Sequence, residues 1–356
     1  MTTSRPWLVY GANGYTGQLV AEEAMRRGHR PVLAGRNEAK IRPLAEKMGL
    51  PWKAFGLDDI SAAAKALEDV DLVFHAAGPF VHTSEPMITA CLARGAHYVD
   101  VTGEIPVFAR TLDRDEEAKR AKVCLISGVG FDVIPTDCLA RFVGDKLPHA
   151  RHLDIAFAAL GTTSPGTTKT MLEMIARGNL VRREGALLPA PLGADVRTFR
   201  FADKERGAVS IPWGDLETAY KTTGIPNITT YMSLPRAQLR AMKLFGSSIS
   251  GVLKRDRVRD TLSGWAERFV KGPDETARNT GRWQVYAAAR DAEDRKVEAW
   301  LTTPEGYAFT ARGGVLAVER LLASDFDFVG ATTPALAFGA DFVLAIEGTQ
   351  RFESLP

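Results

Sequence analysis

No apolar run in this chain reaches the ~18 residues that a membrane-spanning helix needs. Three cysteines, Cys91, Cys124 and Cys138, are too few and too widely spaced for a disulfide framework or a C-x-x-C motif, and are expected to be buried and reduced. Six histidines include no H-x-x-x-H pair, so no metal site is expected. Charge of one sign is scarce too. The 45 Lys and Arg against 43 Asp and Glu leave +2, which gives no basic surplus for nucleic acid. The Ser-x-x-x-Tyr-x-x-x-Lys arrangement of short-chain reductases is absent, since Tyr98 is followed four residues later by Thr102. A nucleophile elbow and a Walker loop are missing as well. Met1 to Pro6 hold no apolar signal core, so a cytoplasmic protein is expected.

What is there is a globular composition, 45% hydrophobic and 25% charged, in 356 residues, enough for two domains. Trp7 to Tyr10 form an apolar run that enters Gly11-Ala12-Asn13-Gly14-Tyr15-Thr16-Gly17, followed by a helix-forming stretch and a second apolar run at 31–35. Such a strand, glycine turn and helix cradle a dinucleotide. The first glycine turns the chain, the second lets the pyrophosphate approach the backbone, and the third lets helix and strand pack closely. The helix N-terminus then offers N–H groups and a partial positive charge to the phosphates. At the end of the second strand, where an acid would hold a ribose 2′-hydroxyl, stand Gly35, Arg36 and Asn37. A guanidinium suits a 2′-phosphate, so the expected cofactor is NADP.

Up to about residue 145 strands and helices alternate. Strands are expected near 7–10, 31–35, 51–56, 71–75, 97–101 and 123–127, and helices near 17–27, 38–48, 60–68, 84–94, 104–121 and 135–146. The fold class is α/β, a Rossmann-type doubly wound parallel sheet, with a second α+β domain. Domain limits are placed at 1–147, 148–310 and 311–356, the last segment being helices that return to the Rossmann domain. In the second domain, 152–160, 195–202, 207–213, 283–290 and 295–302 read as strands, with a hairpin turn at 291–294. Residues 236–271 read as basic amphipathic helices. They are either a solvated cover or a lid or peripheral membrane contact. The exposed edges of the second sheet leave a homodimer open.

Ligands in an open parallel sheet sit beyond the C-terminal strand ends. Three such ends carry unusual residues: Ala77-Gly78-Pro79-Phe80, then Asp100 to Glu104, then Gly130-Phe131-Asp132. Gly78 and Pro79 leave room for a ribose or nicotinamide, and Phe80 and Phe131 are either core or a wall for the ring. Glu104, Asp132 and His82 are the candidate catalytic residues, in that order, with helix capping as the alternative for the two acids.

The order and spacing of these pieces resemble the saccharopine dehydrogenase-like oxidoreductases, including the mycobacterial trans-acting enoyl reductases. The pieces are Gly11 to Gly17, Ala34-Gly35-Arg36, Gly78-Pro79-Phe80, Tyr98-x-Asp100-x-Thr102-Gly103-Glu104 and Gly130-Phe131-Asp132-x-x-Pro135-x-Asp137. Later come Gly272-Pro273 with Arg278 and Gly281, and Thr333-Pro334-Ala335-x-Ala337-Phe338-Gly339. The resemblance implies an NADP-binding Rossmann domain, a second domain over the cofactor, and reductase or dehydrogenase activity on a C=C or C=N bond of a small-molecule or lipid-like substrate. Ala77, Val133 and Asn13 depart from its pattern, where cysteine, serine and threonine are common. A non-catalytic NADP-binding sensor or scaffold is the alternative.

The 2′-phosphate assignment is tested by titrating Arg36→Ala with both cofactors. Affinity for NADPH is expected to fall roughly 10- to 100-fold, as for lost charge-assisted bonds, with little change for NADH. Equal losses for both would remove Arg36 from that role.

Overall fold

Short strands buried on both faces, each followed by a helix, organise the first part of the chain. The computed structural model describes residues 5–159, 164–270 and 272–355. Its first six strands are β1 (Trp7–Tyr10), β2 (Val32–Gly35), β3 (Trp52–Ala54), β4 (Leu72–His75), β5 (His97–Asp100) and β6 (Cys124–Ile126). The helices between them are α1 (Tyr15–Arg26), α2 (Glu38–Met48), α3 (Ile60–Ala66), α4 (Phe80–Arg94), α5 (Ile105–Asp113) and α6 (Asp115–Ala121). The stretch read as one helix over 104–121 is therefore two. The Arg114 N–H turns back to Thr111, and the break aims Asp115 at the Ala331 N–H, 2.8 Å away.

The second part comprises α7 (Ile134–Lys146), β7 (His152–Ala158), α8 (Pro165–Arg177), β8 (Asn179–Arg183), β9 (Ala186–Ala190), β10 (Val196–Arg200), β11 (Glu205–Ser210), α9 (Asp215–Thr223) and β12 (Asn227–Ser233). It continues through α10 (Arg236–Leu253), α11 (Asp256–Phe269), α12 (Glu275–Thr280), β13 (Arg282–Arg290) and β14 (Lys296–Pro304). The last elements are α13 (Gly306–Leu321), β15 (Gly330–Thr332), α14 (Pro334–Phe338) and β16 (Gln350–Phe352).

Two compact units result, Met1–Ile134 with Tyr307–Gly339, and Pro135–Gly306 with Ala340–Pro356. These divisions differ from the limits expected at 147 and 311. Helix α7 counts with the second unit, and the tail after Gly339 does too, because β16 pairs with β14. Only residues 307–339 return to the first unit, adding β15 beside β6.

The first unit's sheet is parallel throughout, in the order β15-β6-β5-β4-β1-β2-β3. The chain winds outward from β1 in one direction and from β4 in the other, so the switch point lies between those two strands. Their register aligns Ala34, Tyr10, His75 and Asp100 in one row at the C-terminal edge. Behind that row Leu8, Val73, Tyr98 and Leu125 are buried in one core. Each large side chain buried this way contributes roughly 1.5–3 kcal/mol.

The second unit is a mixed nine-stranded sheet, with path β10-β11-β12-β7-β13-β14-β16 and β8 and β9 joined beside β12. Only β7 and β12 run parallel among its pairs. Strands β8, β9, β12 and β16 escaped the sequence reading; polar residues hide the period in β8, β12 and β16, and Pro189 interrupts β9. Residue 160 of the strand expected at 152–160 lies outside the described residues, as does Lys271 of the basic section. The turn at 291–294 forms as expected, with the Asp291 carboxylate accepting from the N–H groups of Glu293 and Arg295. Phe199, Phe201, Tyr231, Tyr286 and Trp300 fill this unit's aromatic core.

One buried carboxylate ties β5 to β6. Asp100 accepts from the N–H groups of Thr102 (3.0 Å) and Gly128 (2.9 Å), and from the hydroxyls of Ser127 (2.8 Å) and Tyr98 (2.9 Å). Burial raises its pKa, and those four bonds oppose the rise. Asp100→Ala strands four donors and is expected to cost about 3–5 kcal/mol. Asp100→Asn is expected to cost less than half of that, because its amide oxygen still serves the two N–H groups and the hydroxyls can rotate. Thermal and urea unfolding of both variants measure the difference. Equal losses would show that the acceptor geometry is unimportant.

Candidate active site

The glycine turn is built by close approach. Gly11, at φ +82°, lies so near the 76–77 backbone that a Cβ would stand 2.8 Å from the Ala77 nitrogen. At Gly17 a Cβ would lie 2.4 Å from the Gly11 carbonyl oxygen, so any side chain there would push α1 off its own turn. Gly14 occupies the N-cap position of α1 with no side-chain cap, and no acid stands in the first turn. The helix end thus keeps its partial positive charge for an anion. The residues expected to hold a diphosphate, Gly11, Asn13, Gly14, Tyr15, Thr16 and Gly17, all lie on this turn and the start of α1.

The second strand end adjoins that turn. Gly35 lies against Asn13, whose Oδ1 would be 3.2 Å from a Cβ at position 35. Arg36 and Asn37 follow, both exposed, and neither makes a side-chain hydrogen bond or ion pair among the described residues. Arg36 acts on the buried Tyr10 phenol. Burial pushes that phenol up to about 12, the Arg36 charge works against the rise, and Asp58 adds to it. Asp58, exposed on the loop after β3, was not singled out from the sequence. It has no motif around it, and only the strand order brings its charge to bear on Tyr10.

Beyond β4, Gly78 and Pro79 are exposed, joined by a cis peptide, and Ala77 is half-buried. His75 braces this loop from beneath. The Thr83 hydroxyl donates to the Ala77 carbonyl (2.7 Å), so it can only accept from His75, whose Nε2 lies 3.0 Å away. Burial drives His75 down to about 3, which keeps the ring neutral. It stacks on Tyr10 and meets the Phe80 ring edge-on, both at 5.5 Å.

Glu104 holds the N–H groups of Phe80 and Val81, each at 3.0 Å. It occupies the N-cap position of α5, yet its carboxylate caps α4 instead. That cap explains why α4 starts at Phe80, earlier than the residue 84 expected from sequence. Charge-assisted caps of this kind contribute roughly 1–2 kcal/mol. Both Glu104 oxygens are engaged, so the arrangement suits positioning more than proton exchange.

Asp132 is different. Its carboxyl is half-buried and makes no hydrogen bond or ion pair among the described residues, which removes the capping alternative. It lies over Gly103, where a Cβ would sit 3.2 Å from Oδ2. Its surroundings push it up to about 7, through desolvation. The loop that carries it is tied to α13. The Phe131 N–H donates to the Thr310 hydroxyl at 3.0 Å, and Gly130 leaves no space for a Cβ against the same side chain. The Phe131 ring is buried against Phe309 as core, so its part is to position Gly130 and Asp132. Val133, beside the acid, holds φ 153°, in a region that costs a β-branched residue energy. His82 stands exposed on the first turn of α4, and no contact joins it to Asp132 or Glu104.

Helix α13 supplies residues that sequence reasoning missed. Tyr307 meets Tyr15 edge-on at 5.0 Å, while Phe309 and Thr310 hold the β6 loop. The helix begins at Gly306, ahead of the limit at 311 expected for the C-terminal helices. Its small residues were the available signal, since a Cβ at Gly314 would lie 2.6 Å from the Phe74 ring.

Comparison with known proteins places this geometry. Residues 7–126 match the saccharopine dehydrogenase NADP-binding domain. The human saccharopine dehydrogenase-like oxidoreductase is 32% identical over 169 residues, covering 41% of this chain and 39% of that protein. A trans-acting enoyl reductase of Mycobacterium ulcerans is 28% identical over 138 residues, covering 36% and 33%. The chain thus spans about two fifths or less of the length of the curated relatives it matches. In fold it is similar to saccharopine dehydrogenase (L-Glu forming) from Saccharomyces cerevisiae, with TM-score 0.68, 12% identity and coverage of 98% and 100%. It is also similar to a homospermidine synthase from Legionella pneumophila, with TM-score 0.67, 7% identity and coverage of 99% and 92%.

The perturbed acid has a measurable signature. Folded, Asp132 keeps its proton to about pH 7, whereas an unfolded aspartate loses it near about pH 4. Its contribution to stability is therefore full below about pH 4 and declines as pH rises to about 7. Asp132→Asn, which cannot ionise, is expected to melt with wild type at low pH and above it beyond pH 7. A constant offset at all pH values would place the carboxyl in ordinary solvent.

Proposed function

We propose that this chain, whose residues 7–126 match the saccharopine dehydrogenase NADP-binding domain, is an NADP-dependent oxidoreductase that reduces a C=C or C=N bond. The observation that carries the proposal is Asp132. An unpartnered carboxyl titrating near neutrality, at the same sheet edge as the glycine turn, is what reductive chemistry needs beside a bound cofactor. NADPH supplies a hydride when bound. Gly11 to Gly17 hold its diphosphate, Arg36 and Asn37 its 2′-phosphate, and Ala77 to Phe80 its nicotinamide end. Hydride addition to a polarised double bond leaves a carbanion or an amide anion, and Asp132 gives that atom its proton. Glu104 fixes the α4 N-terminus and with it the 77–80 loop, as a positioning residue. His82 is exposed on α4, away from Asp132, and takes no part in this reading.

The name of the mycobacterial relative favours an enoyl substrate, apolar or lipid-linked. NADPH deuterated at C4, offered with long-chain enoyl thioesters and with cyclic imines, tests the reaction. One deuterium per product molecule is expected from one class, and Asp132→Asn should lower kcat roughly 10²- to 10⁴-fold while NADPH affinity holds. Tight NADPH binding without turnover of either class would leave the sensor reading in its place.

A further inference from the structure

Helix α10 is apolar on both sides. Its inner stripe, Leu239, Gly246, Ser250 and Leu253, is buried. A Cβ at Gly246 would strike the Leu192 carbonyl oxygen at 2.3 Å, so this face is committed to its neighbours. The outer side carries Leu244 (73% exposed), Phe245 and Val252. Helix α11 repeats the pattern with Leu262, Trp265 and Phe269, spaced three and four residues apart on one exposed stripe. The Trp265 and Phe269 rings lie against each other at 5.6 Å. Half of the large apolar side chains exposed among the described residues fall in these two helices.

The same segment concentrates positive charge. Residues 236–271 hold nine Lys and Arg against three Asp and Glu, a net +6, whereas the whole chain carries +2. Arg240, Lys243, Lys254, Arg255, Arg257 and Arg268 are exposed around the apolar stripes.

From this coincidence we infer that α10 and α11 form a docking surface for an anionic lipid bilayer. Apolar side chains with a tryptophan, ringed by cations, match the acyl and headgroup layers of such a surface. A second copy of the chain is a poor occupant. A two-fold contact would set the patch on itself and bring +6 against +6. No helix among the described residues is long and apolar enough to cross a membrane, so the contact is peripheral.

The test is flotation of the full-length chain with vesicles of phosphatidylcholine alone and of phosphatidylcholine with 30% phosphatidylserine. Binding is expected only to the latter, with a blue shift in tryptophan emission and release by high salt. The variant Leu244→Ser, Phe245→Ser, Trp265→Ser, Phe269→Ser should lose roughly tenfold or more of that binding, with NADPH affinity and circular dichroism unchanged. Arg240→Glu with Lys243→Glu should lose it through charge alone. Three results would overturn the inference: no binding to the anionic vesicles, binding indifferent to both variants, or a solution mass halved by the apolar variant.

Discussion

The C-terminal edge of the first unit's sheet is organised around the Asp100 carboxylate. It gathers four donors from two adjacent strands, and its own carbonyl accepts the Val129 N–H at 2.7 Å. Through Thr102, whose hydroxyl accepts the Glu104 N–H, the same knot orients the carboxylate that caps α4. Through Gly128 and Val129 it sets the loop that carries Asp132. A buried acid is expensive, and this one is made tolerable by complete satisfaction of its oxygens. Asp132, on the loop after β6, makes no hydrogen bond or ion pair among the described residues, and desolvation raises its proton affinity. Two acids of the same sheet edge thus differ in their surroundings, since burial raises the pKa of both and only Asp100 has hydrogen bonds that oppose the rise.

Most of the first unit was legible because its code is local. Strands of three or four mostly apolar residues, a glycine turn and a helix after each strand are read from neighbouring positions, and β1 to β6 fall within a residue or two of those expected, whereas β15 lies in a segment expected to be helical. The Arg36 argument also needed only the position of strand two. The second unit was harder. Strand β12 carries Thr229, Thr230 and Tyr231 in its buried interior, and their polar atoms find partners, as when the Thr230 hydroxyl donates to the Ile211 carbonyl. Hydropathy alone does not report such satisfaction.

Roles within the site were less legible than places. Glu104, Asp132 and Asp100 all sit at strand ends, and nothing in their spacing says which carboxylate is saturated. That depends on donors brought from residues 80, 81, 127 and 128, far along the chain. Tyr307, Phe309 and Thr310 were missed for the same reason, since they reach the glycine turn and the β6 loop from the other end of the sequence. The apolar outer sides of α10 and α11, by contrast, were visible as a pattern, because amphipathicity is a property of one segment.

The capping of α4 has a directional meaning. Strands β1 and β4 flank the switch point, and each feeds a helix whose N-terminal end faces the same crevice. Both ends would attract a phosphate if left alike. Glu104 fills the α4 end with the chain's own negative charge, while α1 begins at a glycine with no side chain to cap it. Only one pole remains for a diphosphate. The two helix ends at the switch point thus differ in sign: that of α4 meets a carboxylate, and that of α1 keeps its own partial positive charge.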